Sequence, residues 1–228
     1  MGKAGWVRII PFATFMAFIG VQQLLELSVS KGWLDLTAQQ MLYLYPLKTV
    51  LVLGLILFFW RQYTELQLSD FKNLRHSIAS IGIGLLVFIL WINMDWGFTA
   101  LGESKGFDPF LIESATSRNL LIFSRLFGAA LVVPIMEELF WRSFMLRYVI
   151  TANFSSVRIG TFTLTSFLIC AVLFGLEHNL ILAGIMAGAA YSGLLYWTKS
   201  IYQCVLAHAV TNLILGIYVL QTGHWQFW

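Results

Sequence analysis

Leu131-Val132-Val133-Pro134-Ile135-Met136-Glu137-Glu138-Leu139-Phe140-Trp141-Arg142 sets two adjacent carboxylates inside an apolar run. A lone ionised carboxylate in hydrocarbon neutralises or finds a partner, because burying its charge is costly. A second carboxylate beside it is worse, since each charge raises the cost of the other. Such a pair persists only where something repays it. An intramembrane acid is therefore read as a functional site.

The rest of the chain makes that run a membrane segment. Of 228 residues, 59% are hydrophobic and 11% are charged. The charged share is under half of the ~25% usual in soluble domains. The length suffices for about seven or eight spans of ~20 residues. The expected fold is all-α, a polytopic transmembrane helix bundle of about seven to eight helices. It is read as one integral membrane domain over 1–228, with N-terminal spans in 1–118 and a motif-bearing core in 119–222. The net charge of +3 is an orientation signal and not a nucleic-acid footprint. Lys3 and Arg8 precede the first apolar stretch as in a signal peptide. Without a small-residue cleavage site, that stretch reads as a retained first helix. Cys170 and Cys204 lie in apolar runs and read as small core residues rather than a disulfide.

Apolar stretches run at about 6–27, 40–60, 77–97, 119–150, 160–198 and 201–222. Pro134 kinks or starts a helix within the fourth. The fifth is too long for one span and breaks at Glu177-His178-Asn179. With the N-terminus inside, Lys3, Arg8, Arg61, Lys72, Arg75, Arg147, Arg158 and Lys199 all fall on the cytoplasmic side. The acidic segment 98–118, with Glu103, Asp108 and Glu113 against Lys105 and Arg118, falls outside. Straight spans would separate Glu137 and His178 by tens of ångströms at ~1.5 Å per residue. A shared site requires irregular helices. One solution lays 118–127 along the interface as an amphipathic segment, spans the membrane with 128–148, and sinks the His178 break beside a wet cavity.

Ionisable side chains well inside apolar runs form a short set: Glu137, Glu138, Arg142, Glu177, His178 and His208, with Asn179 and Asn212 as companions. Asp95, Glu26 and Lys48 are within reach of an interface and read as solvated or snorkelling. Glu138 and Arg142, at i,i+4, share a helix face and satisfy each other. Glu137 lies about 100° around the helix and stays free. His208 and Asn212 share a face, as do Phe174 and His178, which sets an aromatic wall beside an imidazole. A carboxylate, two imidazoles and an amide suit water activation with oxyanion stabilisation. A zinc site of His178, His208 and Glu137 competes on chemistry, although no H-E-x-x-H signature is present. Neither G-x-S-x-G nor a serine near the histidines supports a serine hydrolase. Gly184 and Gly188, spaced G-x-x-x-G, read as helix packing.

Three ordered motifs carry a family resemblance: Glu137-Glu138-x-x-x-Arg142, Phe174-x-x-x-His178 and His208-x-x-x-Asn212. Together they resemble the CAAX-protease and bacteriocin-processing membrane endopeptidases. Glu138-Leu-Phe-Trp-Arg-Ser-Phe144, Phe174-Gly-Leu-Glu-His178 and Val205-Leu-Ala-His-Ala-Val-Thr-Asn212 resemble the bacterial exosortase-associated branch. The resemblance implies an eight-helix-like bundle with an intramembrane polar cavity, and peptide hydrolysis with no obligatory metal or other cofactor. It implies Glu137 as the water-activating base, His178 as its partner, and His208 with Asn212 as the oxyanion site. Glu138 and Arg142 organise the first motif.

The resulting expectation is a glutamate-dependent intramembrane endopeptidase of a bacterial inner membrane. Its substrate is a membrane-anchored protein or peptide, as in an exosortase-type surface-protein sorting system. Alternatives are a zinc protease, a proton-coupled transporter, for which an inverted repeat is expected and not detected, and a non-catalytic scaffold.

Overall fold

The computed structural model describes residues 2–96 and 106–228. Among these there is no strand, and the molecule is a bundle of helices. Six helices are long and apolar enough to cross a membrane: α1 (Lys3–Ser30), α2 (Ala38–Gln62), α3 (Leu74–Asn93), α4 (Ala115–Tyr148), α6 (Ile181–Thr198) and α7 (Ile201–Thr222). A shorter apolar helix, α5 (Leu164–Leu176), precedes α6. These seven match the apolar stretches, including the break at Glu177-His178. Glu103 and Lys105 of the acidic connection lie outside the described residues.

Local chemistry marks several helix ends. Thr37 and Gln40 form a capping box at the start of α2. Thr163 and Ser200 cap α5 and α7 by accepting from the backbone N–H three residues on, satisfying donors that the first turn leaves unpaired. Gly223 closes α7 with a φ of 73°, a conformation glycine adopts without penalty.

Four basic residues, Arg8, Arg75, Arg147 and Lys199, gather at one end of the bundle. Arg8 bonds Glu65, Arg147 bonds the Val157 carbonyl, Lys199 bonds the Gly160 carbonyl and Arg75 lies over Trp197. Arg8 is buried, being only 6% exposed.

Helix α4 departs from expectation. It runs unbroken from Ala115 to Tyr148, so 118–127 is the first part of the same helix and not a separate interfacial segment. Its 34 residues span about 50 Å, well beyond a ~30 Å hydrocarbon core. Two stretches, Gly128–Val132 and Leu139–Met145, are π-helical. The first ends just before Pro134. A proline lacks the N–H for an i−4 bond and its ring collides with that carbonyl. A widened turn accommodates both defects, so Pro134 neither starts nor breaks the helix.

Two glycines permit the close crossings that shape the centre. A Cβ on Gly84 in α3 would collide with the Ala207 carbonyl of α7 and sit 2.9 Å from Val210 Cβ. A Cβ on Gly184 in α6 would sit 2.8 Å from Gly175 Cα in α5 and 3.2 Å from His178 Nδ1. Small residues here allow backbones to touch, as membrane helix packing favours.

Candidate active site

Depth is resolved by the shortness of α5. Its 13 residues cover about 20 Å, so starting from the basic end it stops inside the bundle. Glu137 lies 11 residues before Tyr148, about 17 Å from that same end of α4. The two segments therefore deliver Glu137, Glu177 and His178 to a common level. Their ligand atoms all lie within 4.8 Å of one another.

They line a cavity of about 230 Å³ with His208, Asn212, Phe174 and Tyr191. The N-terminal spans also contribute walls, including Phe15, Tyr45 and Trp91. All four residues assigned to catalysis thus border one chamber. Of the supporting residues, Phe174 faces it, while Glu138 and Arg142 stand behind its wall.

Glu137 is 6% exposed, and its Oε2 is buried without a hydrogen-bond partner. Glu138, fully buried, is committed on both oxygens. Its Oε2 lies 3.1 Å from Arg142 Nε, an ion contact without hydrogen-bond alignment. Its Oε1 lies 3.0 Å from His208 Nδ1. One acid is therefore structural and its neighbour free, as the spacing predicts. The link from Glu138 to His208 is the part that spacing did not contain. Arg142 is held by the Gly188 carbonyl at 3.2 Å and by the face of Phe174, 4.4 Å from its ring centroid.

The histidines are oriented by their other nitrogens. His178 Nδ1 lies 2.7 Å from the Phe174 carbonyl. A carbonyl only accepts, so Nδ1 carries the proton and Nε2 of the neutral ring is an acceptor. Phe174 and Trp91 flank this ring at centroid distances of 4.9 and 5.3 Å. His208 is oriented by Glu138, and its Nε2 points to Glu137 Oε2 at 4.0 Å. Tyr191 stacks on it at 4.9 Å, and the Tyr191 hydroxyl donates to Thr211 Oγ1 at 2.8 Å.

Asn212 lines the chamber, but its Nδ2 donates to the Ala129 carbonyl at 2.9 Å. Ala129 lies in the first π-helical stretch. The amide nitrogen has two hydrogens, so one remains for a ligand.

Glu177 receives no role from the sequence reading, although it is in the set of buried ionisable residues. Trp141 Nε1 donates to its Oε1 at 2.9 Å, and its Oε2 is buried without a partner. The signal was its adjacency to His178 at a helix break. The zinc alternative changes accordingly. Among the described residues the grouped donor set is Glu137, Glu177 and His178, with His208 Nε2 beside it, 4.0 Å from Glu137 Oε2. Lys48 also departs from expectation. It does not snorkel, being 7% exposed with its Nζ 3.9 Å from the Phe15 ring centroid. Asp95 is exposed, as expected. Cys170 and Cys204 are buried free thiols.

Residues 119–214 match the model of the Rce1-like family, described as type II CAAX prenyl endopeptidase Rce1-like. All three motifs fall within the match, which is consistent with the CAAX-protease and bacteriocin-processing endopeptidases and does not distinguish the exosortase-associated branch. The matched family is described as an endopeptidase family, and the apolar helices suit a multi-pass membrane protein. No curated protein and no solved structure matches the chain.

Proposed function

We propose that this protein is a glutamate-dependent intramembrane endopeptidase acting on a membrane-associated protein or peptide. One observation carries the reading: Glu137, deep in the bundle, presents an unpartnered carboxylate oxygen to a chamber shared with two imidazoles and an amide. A water between Glu137 and His178 meets two acceptors, the carboxylate and His178 Nε2. Glu137 removes its proton as the oxygen attacks the scissile carbonyl, then passes that proton to the departing amine. His208 Nε2 and the free hydrogen of Asn212 form the oxyanion site. Glu138 orients His208 through Nδ1. Glu177 shares the water site as an auxiliary acid.

The setting proposed is a bacterial inner membrane with the N-terminus cytoplasmic, and the substrate a surface protein handled by an exosortase-type sorting system. The test compares membrane proteomes of cells carrying the wild-type chain with cells carrying Glu137→Gln or His208→Ala. Intact precursors are expected to accumulate in both variants, with the variant proteins at wild-type abundance. Identical proteomes would end the assignment.

A second reading, metal-dependent hydrolysis, is favoured by the approach of Glu137, Glu177 and His178 donor atoms within 4.8 Å, a set chemically suited to zinc. Chelation separates the two. Activity that survives chelator supports the glutamate mechanism, and activity lost and restored by zinc supports the metal.

A further inference from the structure

Beside the chamber lies a second cavity of about 720 Å³. The two share Phe15, Ile19, Tyr45, Arg125 and Trp228 as walls. Two cations line the second cavity, Lys48 from α2 and Arg125 from α4. Both lie on the ring of Tyr45, Lys48 Nζ at 5.0 Å and Arg125 Cζ at 4.2 Å from its centroid. Arg125 Nε is buried with no hydrogen-bond partner. No described residue forms an ion pair with either cation. The two acids on the same walls are engaged elsewhere. Glu26 accepts from Gln22 Nε2 at 3.0 Å, and Asp108 accepts from the Phe110 N–H at 2.9 Å.

Aromatic faces attract a cation but offset only part of the cost of burying it, and they leave its N–H donors unfilled. The group that fills two such donors at once is an anion with paired oxygens. Arg125 precedes Glu137 by 12 residues on α4, about 18 Å along the axis. An extended peptide covers that distance in about five residues.

We propose that Lys48 and Arg125 form a carboxylate-binding subsite that grips an acidic group of the substrate within about five residues of the scissile bond. This rests on the endopeptidase reading and gives it a substrate preference. The carboxylate is either the chain terminus or an acidic side chain.

The test uses the full chain in detergent and three dodecanoyl pentapeptides: one with a free C-terminus, its C-terminal amide, and that amide with one residue replaced by glutamate. Binding is read directly, independent of turnover. The free acid is expected to bind at least about tenfold more tightly than the amide if the chain terminus is the source. The glutamate amide is expected to do so if a side chain is. Lys48→Met and Arg125→Met should each remove the preference without weakening the plain amide, and Lys48→Arg should restore it. Glu137→Gln should retain it, so loss of cleavage and loss of this subsite are distinguishable. Equal binding of all three peptides, no binding to the folded wild-type chain, or a preference that survives both methionine variants overturns the proposal. Displacement of the acid by phosphatidylglycerol but not phosphatidylcholine, with no acid–amide difference, overturns it in favour of a lipid phosphate.

Discussion

Two buried carboxylate sites in this molecule are built in opposite ways. At the basic end, both oxygens of Glu65 are taken. Arg8 Nε and Nη2 donate to them at 2.7 and 2.6 Å, and the Ser143 hydroxyl donates as well. Ser143 in turn accepts from Arg147 Nη2 at 2.9 Å. In the central chamber, Glu137 Oε2 and Glu177 Oε2 have no hydrogen-bond partner among the described residues. Ser143 and Glu137 lie on the same helix, less than two turns apart. A saturated acid holds helices together. An unsaturated one keeps its binding capacity for something that is not protein. Satisfying a buried charge is favourable, and leaving one unsatisfied costs several kcal/mol. Under the proposed function, the chamber keeps these oxygens for substrate and water rather than for holding helices together.

Substitutions should separate the two sites. Glu137→Gln is expected to lower kcat by about 10²–10⁴-fold, the range for losing a general base, with unfolding temperature unchanged or raised because Glu137 Oε2 makes no hydrogen bond to be lost. A variant that unfolds readily yet still cuts would reverse the assignment. Arg8→Met does the opposite. It leaves Glu65 buried and uncompensated, at a cost of about 3–5 kcal/mol of stability, read from unfolding in detergent, while the kcat of the surviving folded protein stays near wild type. Asn212→Ala is expected to lower kcat by about 10²-fold with little change in KM, as for loss of one oxyanion donor. A loss of stability with kcat unchanged would make Asn212 a helix tether through Ala129.

The smallest expected effect is on acid stability. Burial pushes the Glu65 carboxyl upward, but the hydrogen bond and charge of Arg8 outweigh it and hold it below its ordinary value of 4.5. A carboxylate depressed in the folded state contributes stability that is complete above that value. The contribution is lost as pH falls through the depressed one. Unfolding followed from about pH 6 to 3 should show this acid limb in the wild type and lack it in Glu65→Gln. A limb that persists in Glu65→Gln would locate the titration elsewhere.

Much of this was legible in the chain. Apolar runs of span length give the helices, since backbone groups in lipid must be satisfied within the segment. The i,i+4 spacing of Glu138 and Arg142 gives their pairing and, by exclusion, the freedom of Glu137. Pro134 does not mark a helix start, one of its two readings: a proline's missing bond has two remedies, a break or a widened turn, and local sequence does not choose between them. Lys48 misled because its place within reach of a span end suggested snorkelling, whereas Phe15 from another helix closes over it.

The sequence by itself determined that the protein is a membrane helix bundle and which polar residues it carries into the apolar interior, because composition and periodicity act along a single helix. Only the tertiary structure decided that Glu138 holds His208, that Glu177 joins Glu137 and His178, and that a half-length α5 brings a histidine down to the level of a glutamate. Those facts depend on the crossing and depth of separate helices, which are set by side chains far apart in the chain meeting in space.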